Sequence, residues 1–136
     1  MKKKKPAKGR LFWLNLVANR KAGMKPIIII SPRICKALSV FINVGAITIY
    51  PFIISKEEMS DVLLNHESIH IEQQREGFVL WFYALYVWYW GMGIGKGLTA
   101  SEAYFEIPFE KEAYANDHDM DYIANREYKA WKKYRL

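Results

Sequence analysis

Two histidines and the glutamate between them carry the chemistry that this sequence offers first: His66-Glu67-Ser68-Ile69-His70. Imidazoles four residues apart on an α-helix stand about 40° apart in azimuth and roughly 6 Å apart along the axis, so both reach one ion from one face. Glu67 falls on the adjoining flank. There it can take a proton from a water held by the metal, without binding the metal itself. The chain has three histidines, and two of them stand here. The plainer alternative is a polar helix face with two solvated histidines.

A catalytic zinc takes three protein ligands and keeps a fourth position open. Glu76, ten residues past His66, is excluded as the third. Gln73 stands where a helix-breaking glycine would be needed, and an unbroken helix carries Glu76 about 15 Å along the axis from His66. A later segment, Ile107-Pro-Phe-Glu110-Lys-Glu112-Ala113-Tyr114-Ala-Asn116, offers carboxylates on a separate helix. Pro108 suits a first helical turn, where its missing N–H is not needed. Glu110 and Glu112 are both candidates at this point. Tyr114, one turn past Glu110, is the first choice for a phenol aimed at an oxyanion, against a plain packing role. His118 could steady an oxyanion, serve as an alternative ligand, or be a solvated histidine among Asn116, Asp117, Asp119 and Asp121. Gln73 and Gln74 either orient ligands or belong to a polar helix surface.

An HExxH helix followed by a Glu-x-Glu-Ala helix resembles the gluzincins, zinc peptidases with a glutamate third ligand. In their membrane-bound branch the second motif reads Glu-x-x-Ala-Asp. Aligning Ala113 with that alanine implies His66, His70 and Glu110 as the ligands, with Tyr114 standing where the family has aspartate. A second register, Glu112 with Asn116, resembles the thermolysin-like Glu-x-x-x-Asp pattern with Asn for Asp. The wider string from about residue 46 to 131 resembles a group of small uncharacterised bacterial zincin-like proteins, which implies a fold and no substrate.

The elements that must position these residues follow from local pattern. Pro26-Ile-Ile-Ile-Ile30, closed by Ser31-Pro32, reads as a buried strand. Residues 37 to 55 are uncharged, rich in Val, Ile and Thr, and carry a turn signal at Asn43-Val-Gly45. They read as strands, with Ala46–Tyr50 half-buried and able to offer an edge to an extended substrate. Ser60 or Asp61 caps the metal helix, which runs to at least Glu76. Residues 78 to 94 are apolar all round, so that helix is either core or in contact with lipid. The Pro108 helix is expected to run on towards Tyr134. The result is an α+β, zincin-like single domain over residues 1–136, with a small sheet from residues 26 to 55 packed on the metal helix, then the aromatic helix and a C-terminal helix.

Composition narrows the function classes. Hydrophobic residues make up 51% of the 136, enough for a core, and the single Cys35 rules out an intrachain disulfide. Residues 1 to 56 hold twelve Lys or Arg and no acid, while the remainder holds eight and fourteen. A basic arm at residues 1–10 faces anionic lipid or is simply solvated. No nucleic-acid module is present, so nucleic acid is not an expected partner. The short apolar stretch from Leu11 to Ala18, broken by Asn15, does not read as a cleaved secretory signal. The expected setting is cytoplasmic or inner-membrane-associated. The expected reaction is zinc-dependent hydrolysis of a peptide or protein substrate, with Glu67 as general base. The rival is a zinc-stabilised or membrane-associated structural protein without turnover.

Overall fold

In the computed structural model, which describes residues 26–38 and 45–135, the β-branched run after Pro26 forms strand β1 (Ile27–Ile30). Strands β2 (Ala46–Ile49) and β3 (Phe52–Ser55) pair antiparallel across a tight turn at Tyr50-Pro51. β1 pairs with β3 in parallel, so the sheet is mixed, with order β1-β3-β2. The architecture is α+β, with six α-helices among the described residues.

A parallel pair needs a crossover. Part of it is helix α1 (Pro32–Leu38), with Pro32 at the first position and the Ser31 hydroxyl accepting from the Ile34 N–H at 3.4 Å. Ala37 and Leu38 therefore belong to a helix and not to the expected strand run. Pro32 ends β1 and starts α1 at once. The buried-strand reading of β1 is also corrected. α1 packs against β2 and β3, and Ile27, Ile28 and Ile30 are exposed on an edge strand. The basic arm and the first two residues of the Asn43-Val-Gly45 turn lie outside the described residues.

Helix α2 (Asp61–Gly77) begins where expected, with the Ser60 hydroxyl accepting from the Leu63 N–H at 3.2 Å. Leu64 and Ile71 pack on Ile53 and seat α2 on the sheet. At Phe78 (φ 60°, ψ 145°) the chain turns by 110° into α3 (Val79–Gly95). A non-glycine residue held there costs on the order of 1–3 kcal/mol. The inner face of α3 closes a core of Phe82, Ile107, Phe109 and Trp131. Its outer face leaves Trp81 and Trp88 exposed. Among the described residues no single helix is long and apolar enough to cross a membrane.

Helix α4 (Ala100–Phe105) starts with a capping box in which Thr99 and Glu102 satisfy each other's backbone N–H. Helix α5 (Pro108–Asn116) starts at Pro108 as expected but stops at Asn116. A short helix α6 (Tyr122–Asn125) and a 3-10 helix (Ala130–Tyr134) replace the expected continuation. Side chains compete with the helix ladder here. Asn65 Nδ2 donates to the carbonyls of Asp117 at 2.9 Å and Asp119 at 3.0 Å, and Asp119 Oδ1 accepts from the Asp121 N–H at 3.0 Å.

Helices α3 and α4 meet at a glycine. A Cβ on Gly93 would lie 2.7 Å from the Ala103 Cβ and 3.0 Å from its Cα, whereas a Cβ on Gly91 would meet nothing within 4 Å. Gly93→Ala is therefore expected to destabilise by about 1–3 kcal/mol through overpacking. Gly91→Ala is expected to stabilise by up to about 1 kcal/mol through helix propensity. Urea unfolding of the two variants checks the opposite signs.

Candidate metal centre

One face of α2 carries the two imidazoles. His66 Nε2 lies 3.2 Å from His70 Nε2. Helix α5 brings Glu110 against both, with Oε2 at 3.3 Å from His66 Nε2 and Oε1 at 3.3 Å from His70 Nε2. All three side chains are buried, and together they could hold a metal ion. The edge lengths fit a particular ion geometry. Bonds of 2.0–2.1 Å at tetrahedral angles separate neighbouring ligand atoms by about 3.3 Å.

Each donor is held from behind. His70 Nδ1 lies 2.7 Å from Gln73 Oε1, and the Gln73 amide nitrogen donates to the Phe109 carbonyl at 3.1 Å and to Glu112 Oε2 at 3.0 Å. That orients the amide so that its oxygen accepts from His70 Nδ1, which leaves Nε2 as the nitrogen that could hold a metal. His66 Nδ1 faces Asp117 Oδ2 at 3.4 Å. Tyr86 and Tyr104 donate to the two oxygens of Glu110 at 2.8 and 2.9 Å.

The electrostatics follow from this packing. Burial alone would lower the pKa of His70, but the Glu110 carboxylate raises it to about 9. Burial would raise that of Glu110, yet the His70 and His66 imidazoles hold its carboxyl well below the usual carboxylate range. Burial and the Glu110 charge push the phenols of Tyr86 and Tyr104 far up, so both stay protonated donors.

Glu67 is not part of the triangle. Its Oε2 accepts from the Thr48 hydroxyl at 2.6 Å, which ties it to strand β2. Tyr114 sets its ring on His66, centroids 4.5 Å apart, and is 46% exposed at the edge of the site. Glu112 faces away, into a buried ion pair with Arg126 that also includes Glu76. His118 is largely exposed and pairs with Asp117 Oδ1 at 2.6 Å. Gln73 and Gln74 are both buried, so the polar-surface reading of them does not hold.

Gln74 corrects a second expectation. Its Nε2 donates to the Thr48 carbonyl at 2.8 Å and its Oε1 accepts from the Tyr50 N–H at 2.8 Å, as a neighbouring strand would. Tyr83 donates to the same Thr48 carbonyl. The Thr48–Tyr50 part of the β2 edge is thus already paired and does not stand open to an extended substrate.

Sequence reasoning missed Thr48, Tyr83, Tyr86 and Tyr104, and it met Asp117 only as a neighbour of His118. Tyr83 and Tyr86 had one usable signal, a three-residue spacing on the face that Phe82 presents. No local pattern joins Asp117 to His66, 51 residues away. The chain matches no known protein family, no curated protein and no solved structure.

Two outcomes are expected. Glu110→Gln should abolish tight metal binding with the fold intact, whereas Glu112→Gln should keep the metal site but lose about 1–3 kcal/mol, since buried Arg126 loses one of its two carboxylate partners and keeps Glu76. Metal analysis and denaturant unfolding of both variants separate these effects. A metal must also displace the proton that His70 carries below about 9. Apparent affinity should therefore fall roughly tenfold per unit as pH drops below that value, with proton release on binding measurable by calorimetry in two buffers.

Proposed function

We propose that this chain is a zinc-dependent peptidase of the gluzincin type with a zincin-like arrangement of helices. The observation that carries this reading is the His66–His70–Glu110 triangle with edges of 3.2–3.3 Å, together with a glutamate beside it that is left out of the triangle. His66, His70 and Glu110 would hold the zinc. When bound, zinc supplies a Lewis acid that acidifies water and polarises a carbonyl oxygen.

The chain's own groups supply the rest. Thr48 fixes Oε2 of Glu67, and no described residue hydrogen-bonds Oε1. That oxygen is available to take a proton from the attacking water and to pass it to the leaving nitrogen as the C–N bond breaks. Asp117 and Gln73 keep both imidazoles turned inward. Tyr114, whose ring packs on His66 at the rim, would donate to a developing oxyanion. Tyr86 and Tyr104 are engaged with Glu110 and act as positioning residues.

A second reading, a zinc staple without turnover, is favoured by one observation. All three donors are nearly inaccessible, at 4%, 6% and 3% exposure, and a structural site is closed where a catalytic one keeps a position open. Glu67→Gln separates the two. The amide is nearly isosteric and cannot take a proton near neutral pH. The variant should keep about one zinc per chain and lose turnover of a quenched-fluorescence peptide library by about 10²–10⁴-fold. Wild-type protein without zinc after gentle purification, and with none gained on addition, would sink the metal reading. Equal turnover in wild type and variant would sink the role of Glu67.

A further inference from the structure

The outer face of α3 is an apolar stripe with no cover among the described residues. Leu80, Trp81, Ala84, Val87, Trp88 and Gly91 are its exposed positions up to the last turn, and their spacing places them on one side of a helix. Leu80 is 86% exposed, Trp81 62% and Trp88 64%. Phe78, 84% exposed, extends the stripe around the corner. Contiguous apolar surface of this kind marks an interaction site.

Charge identifies the partner. The backbone N–H of Lys129 donates to Glu76 Oε1 at 2.9 Å and the Tyr128 hydroxyl donates to the Glu76 carbonyl at 3.5 Å. These bonds set the C-terminal segment against the last turn of α2, two residues before Phe78. From Lys129 to Arg135 that segment carries four cations and no acid. Lys132, Lys133 and Arg135 are exposed, Lys133 in a surface pair with Glu127. Lys96 stands exposed at the far end of α3, in a groove that Glu102 and Glu106 also line. An apolar stripe bearing two tryptophans, with a basic segment set against its corner end, complements the headgroup region of an anionic bilayer.

The helix cannot span that bilayer. Its 17 residues reach about 25 Å, short of a hydrocarbon core of about 30 Å. Its inner face is also committed to the protein, with Phe82 against the His70 ring, Tyr83 on Thr48 and Tyr86 on Glu110. We infer that α3 lies in the plane of an anionic membrane surface, its outer stripe in the headgroup–acyl boundary, with the metal centre on the opposite side of the same helix. On the peptidase reading, the substrate is then a chain segment close to the bilayer, because one helix diameter, about 10 Å, separates the site from the lipid. The docking itself does not depend on that reading.

Sedimentation with vesicles of phosphatidylcholine mixed with phosphatidylglycerol, against vesicles of phosphatidylcholine alone, tests it. The full chain should partition onto the mixed vesicles and far less onto the neutral ones, and salt should weaken the binding. Phosphatidylcholine brominated on its acyl chains, included in the mixed vesicles, should quench tryptophan fluorescence. Changing Trp81→Ser and Trp88→Ser together should cut partitioning on the order of a hundredfold and remove most of the quenching. Lys132→Gln, Lys133→Gln and Arg135→Gln should each cost about fivefold. These positions are exposed, so zinc content and thermal unfolding should match wild type. Equal binding to both vesicle types, or binding indifferent to the tryptophan pair, would overturn the inference. So would failure to bind combined with a dimer that the tryptophan changes dissociate, since the stripe would then join two copies of the chain. His66→Ala protein that lacks zinc but still binds vesicles would leave the docking standing without the peptidase.

Discussion

Burying a polar side chain without a partner costs about 1–3 kcal/mol, and α2 buries seven of them: Asn65, His66, Glu67, Ser68, His70, Gln73 and Gln74. The remaining elements are arranged around this constraint. Strand β2 answers Glu67 through the Thr48 hydroxyl and Gln74 through the Thr48 carbonyl and Tyr50 N–H. Helix α5 answers His66 and His70 through Glu110, and Gln73 through the Phe109 carbonyl and Glu112. The turn after α5 answers Asn65 with backbone carbonyls and His66 with Asp117. Only Asn65 Oδ1 lacks a partner among the described buried side-chain atoms. Apolar contacts from Leu64 and Ile71 seat the helix, but the polar face dictates what must surround it, because a half-satisfied network costs more than an apolar core.

Glu110 and Glu112 show how neighbouring identical side chains acquire different roles. Two residues apart on a helix they point about 200° apart. Glu110 meets the imidazoles of α2, and Glu112 meets the guanidinium of Arg126. Burial penalises both charges, and each is compensated by a different cationic partner. Gln73 touches both systems, donating to Glu112 while its oxygen holds His70. The ion pair that braces α5 and the orientation of one imidazole are thereby linked through a single amide.

What could be read from the sequence was what local periodicity encodes. The four-residue spacing of His66 and His70 places two imidazoles on one helix face whatever the tertiary structure. Ser60 and Pro108 mark helix starts through backbone chemistry that is local in the same way. The Glu110 register was legible only as one of two. The Glu-x-x-Ala resemblance favours Glu110, but what engages Glu112 elsewhere is Arg126, which no pattern around residue 110 reveals. The errors have the same origin. Ser31-Pro32 ends β1 as expected, but proline serves equally as the first residue of a helix, and that second role hides α1. The Asn116–Asp121 stretch holds turn-forming side chains, but its role depends on Asn65, which reaches it from another helix. The isoleucines of β1 suit a buried strand by type, and their exposure reflects which helices happen to cover the sheet.

The single-residue corner at Phe78 has a mechanical consequence. The two long helices it joins form an L, and an L with a one-residue joint would flex if nothing crossed between its arms. One contact crosses directly, Phe82 to the His70 ring, and two more reach elements that α2 also holds, Tyr83 to the strand beside Glu67 and Tyr86 to Glu110. They triangulate the joint as struts triangulate a bracket. Widening the angle would draw the Tyr86 phenol off Glu110 and leave Tyr104 as the remaining phenol on that carboxylate. The angle of the corner and the hold on Glu110 are therefore coupled.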